Sequence, residues 1–324
     1  MTRPIVLMNR ADFYKAGWVE KHWPTLPRRA EIRMTALESG PDLHAEVAKA
    51  DVLYNRGSFR LTQDILESGS RLRGVVTSGV GIEKIDVAAA TELGIPVANS
   101  PGNTSTVAEA AMLLVGALAK RLHFWIEAAR KGKVPDSTTE GMELFDKTIG
   151  LIGYGRIGRA TGRIAQAYQM HVLAYDPYVE ESDIAKLVSL EELLKQSDFV
   201  SLHTVLNDDT RRIINEESLG LMKSTAFLVN TSRGELVDEE ALERALTSGR
   251  IAGAGLDVWE VEPVRPDHRL LALPNVIGTP HGLAHATESR RRCAVLSEQS
   301  ILSLLEGRLP EFTVNPAVVW RFDQ

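Results

Sequence analysis

Six residues, Gly153-Tyr154-Gly155-Arg156-Ile157-Gly158, follow the apolar run 148–152 and precede the helical pattern 159–168. Their spacing suits a phosphate-binding turn. Gly153 permits the tight turn, Gly155 lets a pyrophosphate approach the backbone, and Gly158 allows close packing of helix on strand. A helix starting there presents unpaired N–H groups and a partial positive charge to phosphates. A second strand pattern, 171–175, ends at Asp176, eighteen residues beyond Gly158. A carboxylate at that offset can accept hydrogen bonds from both ribose hydroxyls of an adenosine. It would also repel a 2′-phosphate, and Pro177-Tyr178-Val179 offers no arginine to bind one. The motif therefore points to NAD(H) in preference to NADP(H).

A dinucleotide site does not name a reaction. Three further polar segments each follow a strand pattern. Asn230-Thr231-Ser232-Arg233 follows 226–230, the run from Asp257 to Pro263 follows 252–256, and Thr279-Pro280-His281 follows 276–277. Ligands of parallel sheets bind outside the carboxyl ends of the strands. An arginine, an acid and a histidine thus converge on one edge.

These residues need a scaffold. Apolar runs at 5–8, 51–54, 74–77 and, more weakly, 32–35 read as strands, with helical patterns at 42–49, 62–67 and 84–93 between them. Continuous apolar strands alternating with helices indicate a parallel sheet covered on both faces. The alternation resumes beyond a long helix at 104–122 and a polar connection at 131–147. The later strands are 148–152, 171–175, 199–202, 226–230, 252–256 and 276–277. A final helix is expected at 283–305, then a tail from 312. The fold class is α/β, with two doubly wound units.

Composition agrees. The 324 residues are 44% hydrophobic and 25% charged, which suits a globular chain of about two domains. A net charge of −6 gives no global field for nucleic acid or anionic membrane. The single cysteine, Cys293, forbids an intramolecular disulfide, which suits a reducing compartment. The N-terminal apolar run is too short for a secretory signal, and the run 110–119 is about half the ~20 residues of a membrane span. A cytoplasmic protein is expected. His281 and His285 are four apart, but no His-Glu-x-x-His motif surrounds them, and no metal site is expected.

Over nearly its whole length the sequence resembles the D-isomer-specific 2-hydroxyacid dehydrogenases. The resemblance rests on Gly79-Val80-Gly81, on Asn103 through Glu109, and on the glycine turn with Asp176. It also rests on 230–236, on Asp257 through Pro263, on Thr279-Pro280-His281, and on Gly307 with Val314-Asn315-Pro316. It implies hydride transfer between a nicotinamide and the oxygen-bearing carbon of a small 2-oxo or 2-hydroxy acid of D configuration. Hydroxypyruvate and glyoxylate are the first substrates to try, since no C-terminal regulatory domain is seen beyond Pro316. Arg233 would hold the substrate carboxylate and polarise its carbonyl. His281 would exchange a proton with the substrate oxygen, and Glu262 would orient the imidazole and favour its protonated form. Glu260 is a rival, but Pro263 sets the register in favour of Glu262.

The resemblance implies further roles. The N–H groups of Val80 and Gly81 would bind the substrate carboxylate, and Arg56 would face the substrate. Asp257 would bond the nicotinamide carboxamide, and Thr231 and His203 would line the cofactor. Arg156 and Ile157 would give N–H groups to the pyrophosphate. Arg10, Tyr54, Ser58 and His285 are candidates for the substrate wall. The implied architecture is a Rossmann cofactor domain (102–287) and a discontinuous flavodoxin-like substrate domain (1–101 and 288–324), with a cleft between them. The two long helices would bridge the domains, and a homodimer is implied.

The sequence also departs from the family. Glu83-Lys84 replaces the usual Asp-Asn, and His203-Thr204-Val205-Leu206 lacks a common proline. The run from His281 to Thr287 is one residue longer than usual, and the linker near Lys133 lacks a frequent tryptophan. A different class, an NADH-sensing corepressor-like binding protein, shares this fold. The complete Arg233, Glu262 and His281 set argues against it. A formate dehydrogenase ranks lower still, because Glu262 stands where that pattern has glutamine.

Overall fold

A computed structural model of the chain describes residues 3–9, 17–37, 39–56, 60–133 and 140–322. Arg10, Ser58 and part of the 131–147 connection lie outside the described residues. The chain divides into two compact units, Met1–Asn103 with Thr287–Gln324, and Thr104–Ala286.

The first unit carries β1 (Ile5–Asn9), β2 (Glu31–Thr35), β3 (Val52–Asn55), β4 (Gly74–Thr77) and β5 (Val97–Ala98). They form a parallel sheet in the order β2-β1-β3-β4-β5. Strands β3 and β4 are buried along their whole length, as continuous apolar runs require. Its helices in this stretch are α1 (Trp18–His22), α2 (Leu26–Arg29), α3 (Pro41–Val47), α4 (Gln63–Ser68) and α5 (Val87–Glu92). The sequence pattern missed α1, α2 and β5, each too short to show a period. It also started α5 too early, at 84. Asp86 is the cap, accepting from the Ala89 N–H at 2.9 Å.

The second unit opens with α6 (Thr104–Ala119) and α7 (Leu122–Arg130). The expected helix 104–122 therefore stops three residues early. Arg121 adopts a left-handed φ of 51°, and the Ala119 carbonyl accepts from the Met142 N–H at 2.8 Å rather than from a further turn. Then follow β6 (Thr148–Ile152), α8 (Arg156–Ala167), β7 (His171–Tyr175), β8 (Lys186–Leu187), α9 (Leu190–Gln196), β9 (Phe199–Leu202), α10 (Glu216–Leu221), β10 (Phe227–Asn230), α11 (Glu239–Thr247), β11 (Gly253–Leu256) and β12 (Val276–Gly278). The seven strands are parallel in the order β12-β11-β10-β9-β6-β7-β8. Strand order reverses between β6 and β9, which makes that edge the switch point where such sheets bind ligands. Helix α6 is buried along most of its length, and Gly255 of β11 lets Leu114 and Leu118 settle on the sheet.

The chain returns to the first unit through α12 (Thr287–Leu305), four residues later than the pattern suggested. The Leu283 N–H donates to the Asp257 carboxylate at 3.3 Å, which keeps this residue in the turn after β12 and outside the helix. Among the described residues, no helix is long and apolar enough to cross a membrane.

Candidate active site

Strand register aligns the carboxyl ends of the large sheet. Ile152 pairs with Tyr175 and with Leu202, Leu202 with Asn230, Asn230 with Leu256, and Leu256 with Gly278. The residues that follow are Gly153, Asp176, His203, Thr231, Asp257 and Thr279. They form one row along a single edge, and every one but Thr279 is a site residue expected from sequence.

At the switch point, Gly153 has φ 91°, and a Cβ there would lie 2.5 Å from the Thr204 nitrogen. Only glycine serves both demands. A Cβ on Gly155 would meet open space, so its bare face remains accessible to a ligand. Gly158, on α8, lies so close to the end of β6 that a Cβ would strike the Gly153 carbonyl oxygen at 2.3 Å, so glycine is what lets the helix pack there. Helix α8 starts at Arg156 rather than 159, and its cap, Gly155, has no side chain to satisfy the first N–H groups. Asp176 accepts from the Tyr154 N–H at 2.8 Å and from the Tyr178 N–H at 2.9 Å, one bond to each oxygen. The acid is thereby fixed against the turn, with lone pairs remaining on both oxygens.

A dinucleotide fits this edge on a second ground. The buried Thr231 Oγ1 and His203 Nδ1 have no hydrogen-bond partner among the described residues. Buried polar atoms left unpaired are costly and call for an absent ligand or water. His203 Nε2 is engaged by Ser201 Oγ at 3.0 Å, and burial pushes the His203 pKa down to about 4, so this ring is neutral.

The catalytic candidates lie further along the same edge. His281 Nδ1 and Glu262 Oε2 are 2.8 Å apart. Glu262 Oε1 accepts from the Trp259 N–H at 3.2 Å. The hydrogen bond that His281 donates to Glu262 is the main cause holding the His281 pKa above its ordinary value, against burial and the Arg233 charge. Burial alone would raise the Glu262 carboxyl. Its bonds to His281 and Trp259, with the charges of His281 and Arg233, outweigh burial and hold it below the usual range. Arg233 thus lies close enough to act on both partners. It enters from the loop after β10, where the Asn230 side chain donates to the Arg233 carbonyl at 2.8 Å. Gly234 brings that loop onto the next one, since a Cβ there would sit 1.8 Å from the Trp259 carbonyl carbon.

Glu260 belongs elsewhere. It lies 3.6 Å from Arg212, and its N–H donates to Glu239 at 2.9 Å. The acid that meets His281 is Glu262.

Asp257 has work that the sequence did not disclose. Only 2% exposed, it accepts from Thr279 Oγ1 at 2.6 Å and from the N–H groups of Gly282 at 2.9 Å and Leu283 at 3.3 Å. These bonds grip the turn on both sides of His281, whose own φ is a strained 54°. Trp259 adds a bond from Nε1 to the Thr279 carbonyl at 2.9 Å. His285, a wall candidate on this turn, is exposed.

Arg56, Val80 and Gly81 belong to the first unit, beyond the carboxyl ends of β3 and β4. The Arg56 N–H donates to Asn9 Oδ1 at 2.8 Å. Val80 and Gly81 are half-buried, and their N–H groups have no partner among the described residues. Tyr54 is a correction: it is 2% exposed with its ring edge-on to Trp23 at 4.9 Å, so it is core and not wall. Cys293 is buried, as expected of a small apolar side chain.

Comparison with known proteins decides the family. The D-isomer specific 2-hydroxyacid dehydrogenase NAD binding domain matches residues 112–282. A hydroxypyruvate reductase from Thermotoga maritima is 41% identical over 275 residues, covering 83% of this chain and 90% of that one. The chain belongs to the D-isomer-specific 2-hydroxyacid dehydrogenases. A D-3-phosphoglycerate dehydrogenase from Methanocaldococcus jannaschii is 40% identical over 88% of this chain, which spans only 55% of that protein's length. The solved glyoxylate reductase from Paecilomyes thermophila superposes with a TM-score of 0.87 at 30% identity, covering 98% of this chain and 99% of that one. The dehydrogenase family, its NAD binding domain and the two parallel-sheet α/β units agree with the expectations from sequence. The corepressor-like alternative gains no support from these matches.

Proposed function

We propose that this dehydrogenase reduces a small 2-oxo acid to the D-2-hydroxy acid with NADH, hydroxypyruvate and glyoxylate being the first substrates to test. The 2.8 Å pair between His281 and Glu262, with Arg233 acting on both, carries this reading. NADH, when bound, supplies the hydride received by the carbonyl carbon. Arg233 holds the substrate carboxylate and polarises the carbonyl through its planar fork. His281 Nε2 donates a proton to the carbonyl oxygen, so that one hydride and one proton convert the ketone to the alcohol. In the reverse direction the same nitrogen takes the proton back. Glu262 holds the imidazole through Nδ1 and favours its charged form.

Thr104–Ala286 is the cofactor unit in this reading, and the other unit binds substrate. Arg156 and Ile157 N–H groups hold the pyrophosphate beside Gly153, Gly155 and Gly158, and Asp176 holds the ribose in preference to an NADP 2′-phosphate. His203 and Thr231 line the cofactor, and Asp257 bonds the carboxamide while it braces the His281 turn. Val80 and Gly81 N–H groups and Arg56 receive the substrate. The same reading makes the protein a cytoplasmic homodimer. Leu113, Leu122 and Ile126, apolar residues exposed on α6 and α7, are candidates for the interface.

The test is NADH oxidation followed by absorbance across a panel of small 2-oxo acids. Turnover with a D-hydroxy acid product is expected. An inactive wild-type protein across the panel would refute the reading.

A further inference from the structure

A row of buried polar residues crosses the carboxyl edge of the small sheet. Met8 pairs with Tyr54, Asn55 with Thr77, and Val76 with Ala98, so Asn9, Asn55, Thr77 and Asn99 stand side by side. Each is at most 9% exposed. Two of these side chains reach forward to the loops beyond the strands. Asn9 Oδ1 accepts from the Arg56 N–H at 2.8 Å. Asn99 Nδ2 donates to the Val80 carbonyl at 3.3 Å. The second bond has a geometric consequence. The Val80–Gly81 peptide is trans, so its C=O and N–H point in opposite directions. Holding the carbonyl toward Asn99 turns the Gly81 N–H away from the sheet, where it has no partner among the described residues.

We infer that Asn99 is a positioning residue for substrate binding: it sets the plane of the Val80–Gly81 peptide so that the Gly81 N–H is aimed in advance at the substrate carboxylate. The inference rests on the reading that these amides bind that carboxylate. The alternative is that Asn99 merely fills space. Its Oδ1 is buried with no partner, however, so the amide is retained at the cost of an unpaired acceptor. An apolar side chain of the same size would fill the space without that cost. What it could not do is donate to Val80. The neighbouring contacts hold the rest of the loop. The Ser100 N–H donates to the Gly79 carbonyl at 2.8 Å, and Ser100 Oγ meets Ser297 Oγ of α12 at 2.8 Å. The Val80–Gly81 peptide is therefore the segment whose orientation depends on Asn99.

The experiment compares wild type with Asn99→Leu, which keeps the volume and removes the donor. Steady-state kinetics and calorimetric titration of the enzyme–NADH complex with oxamate, an isostere of a 2-oxo acid, are the two readouts. The expected result is a rise of about tenfold to thirtyfold in both the KM for the 2-oxo acid and the Kd for oxamate, as a charge-assisted hydrogen bond is lost. The KM for NADH should stay put. An unchanged oxamate Kd, or a fall in kcat at constant KM, overturns the inference, since a merely structural defect behaves that way. A wild type that turns over no 2-oxo acid and binds no oxamate overturns the functional reading and this inference with it. Should Asn99→Leu fail to fold, amide hydrogen exchange on the wild-type enzyme with NADH decides. Fast exchange at Gly81 that oxamate slows at least tenfold is expected; a Gly81 amide already protected, or one that oxamate leaves unprotected, overturns it.

Discussion

His281 commits Nδ1 to Glu262 at 2.8 Å, so Nε2 is the ring nitrogen left to exchange a proton with a substrate. The same bond raises the imidazole's affinity for that proton. Reduction needs the protonated ring, so its rate should hold up to the raised pKa and fall as pH climbs through it. Oxidation needs the neutral ring and should rise over the same interval. In Glu262→Gln the raising partner is gone, and the limb of the pH profile for reduction should move to lower pH. His281→Ala should lower kcat by about 10²–10⁴ while NADH binding persists. A limb that stays fixed in Glu262→Gln would separate the titration from this pair.

The grip of Asp257 on the His281 turn gives a second expectation. Asp257→Ala would leave the half-buried N–H groups of Gly282 and Leu283 without their acceptor. The cost should be about 1–3 kcal/mol of folding stability, since an unsatisfied buried donor costs roughly 1–3 kcal/mol and these half-buried ones lie at the lower end. Catalysis should suffer beyond that loss, because His281 adopts its left-handed φ only while the turn is held. Chemical denaturation measures the first effect. A kcat determined well below the melting temperature measures the second.

Gly234 is the contact point of the Arg233 and Trp259 loops. In Gly234→Ala the new methyl would meet backbone at 1.8 Å, which no rotamer change can relieve. The loops must separate, and Arg233 must move from Glu262. Destabilisation of about 1–3 kcal/mol or more is expected, with a raised KM for the 2-oxo acid in whatever enzyme remains folded. A variant with native melting temperature and native KM would contradict this account.

Some of this was legible because the demands are local. A tight turn, a backbone face left bare and an acid at the next strand's end fix residue types within a short stretch, so Gly153 to Gly158 and Asp176 stand out. Other features depend on residues far apart. Nothing near Leu283 says that its N–H is taken by Asp257, so its apolar spacing reads as the first turn of α12. Glu260 and Glu262 are the same residue type; Pro263 favours Glu262 in the sequence, but only the distant Arg212 and His281 show what each acid does. Strand β5 has two residues, too few for any periodicity. Asn99 could not be singled out because its partner, Val80, lies across a strand pairing that sequence does not specify.

Asp176 allows the cofactor preference to be separated from the shape of the turn. Its two oxygens already accept from the Tyr154 and Tyr178 N–H groups. Removing the side chain would therefore loosen the glycine turn as well as abolish the proposed ribose contact. Asp176→Asn keeps one acceptor oxygen and loses the charge that repels a 2′-phosphate. In Asp176→Ala the Kd for NADH should rise about tenfold or more, as hydrogen bonds to a charged group are worth roughly 1.5–3 kcal/mol. In Asp176→Asn the loss for NADH should be smaller, while the ratio of NADPH to NADH affinity should rise in both variants. Fluorescence titration with each cofactor measures this directly. A ratio unchanged in both variants would mean that the carboxylate does not discriminate, and that the preference is set elsewhere along the sheet edge.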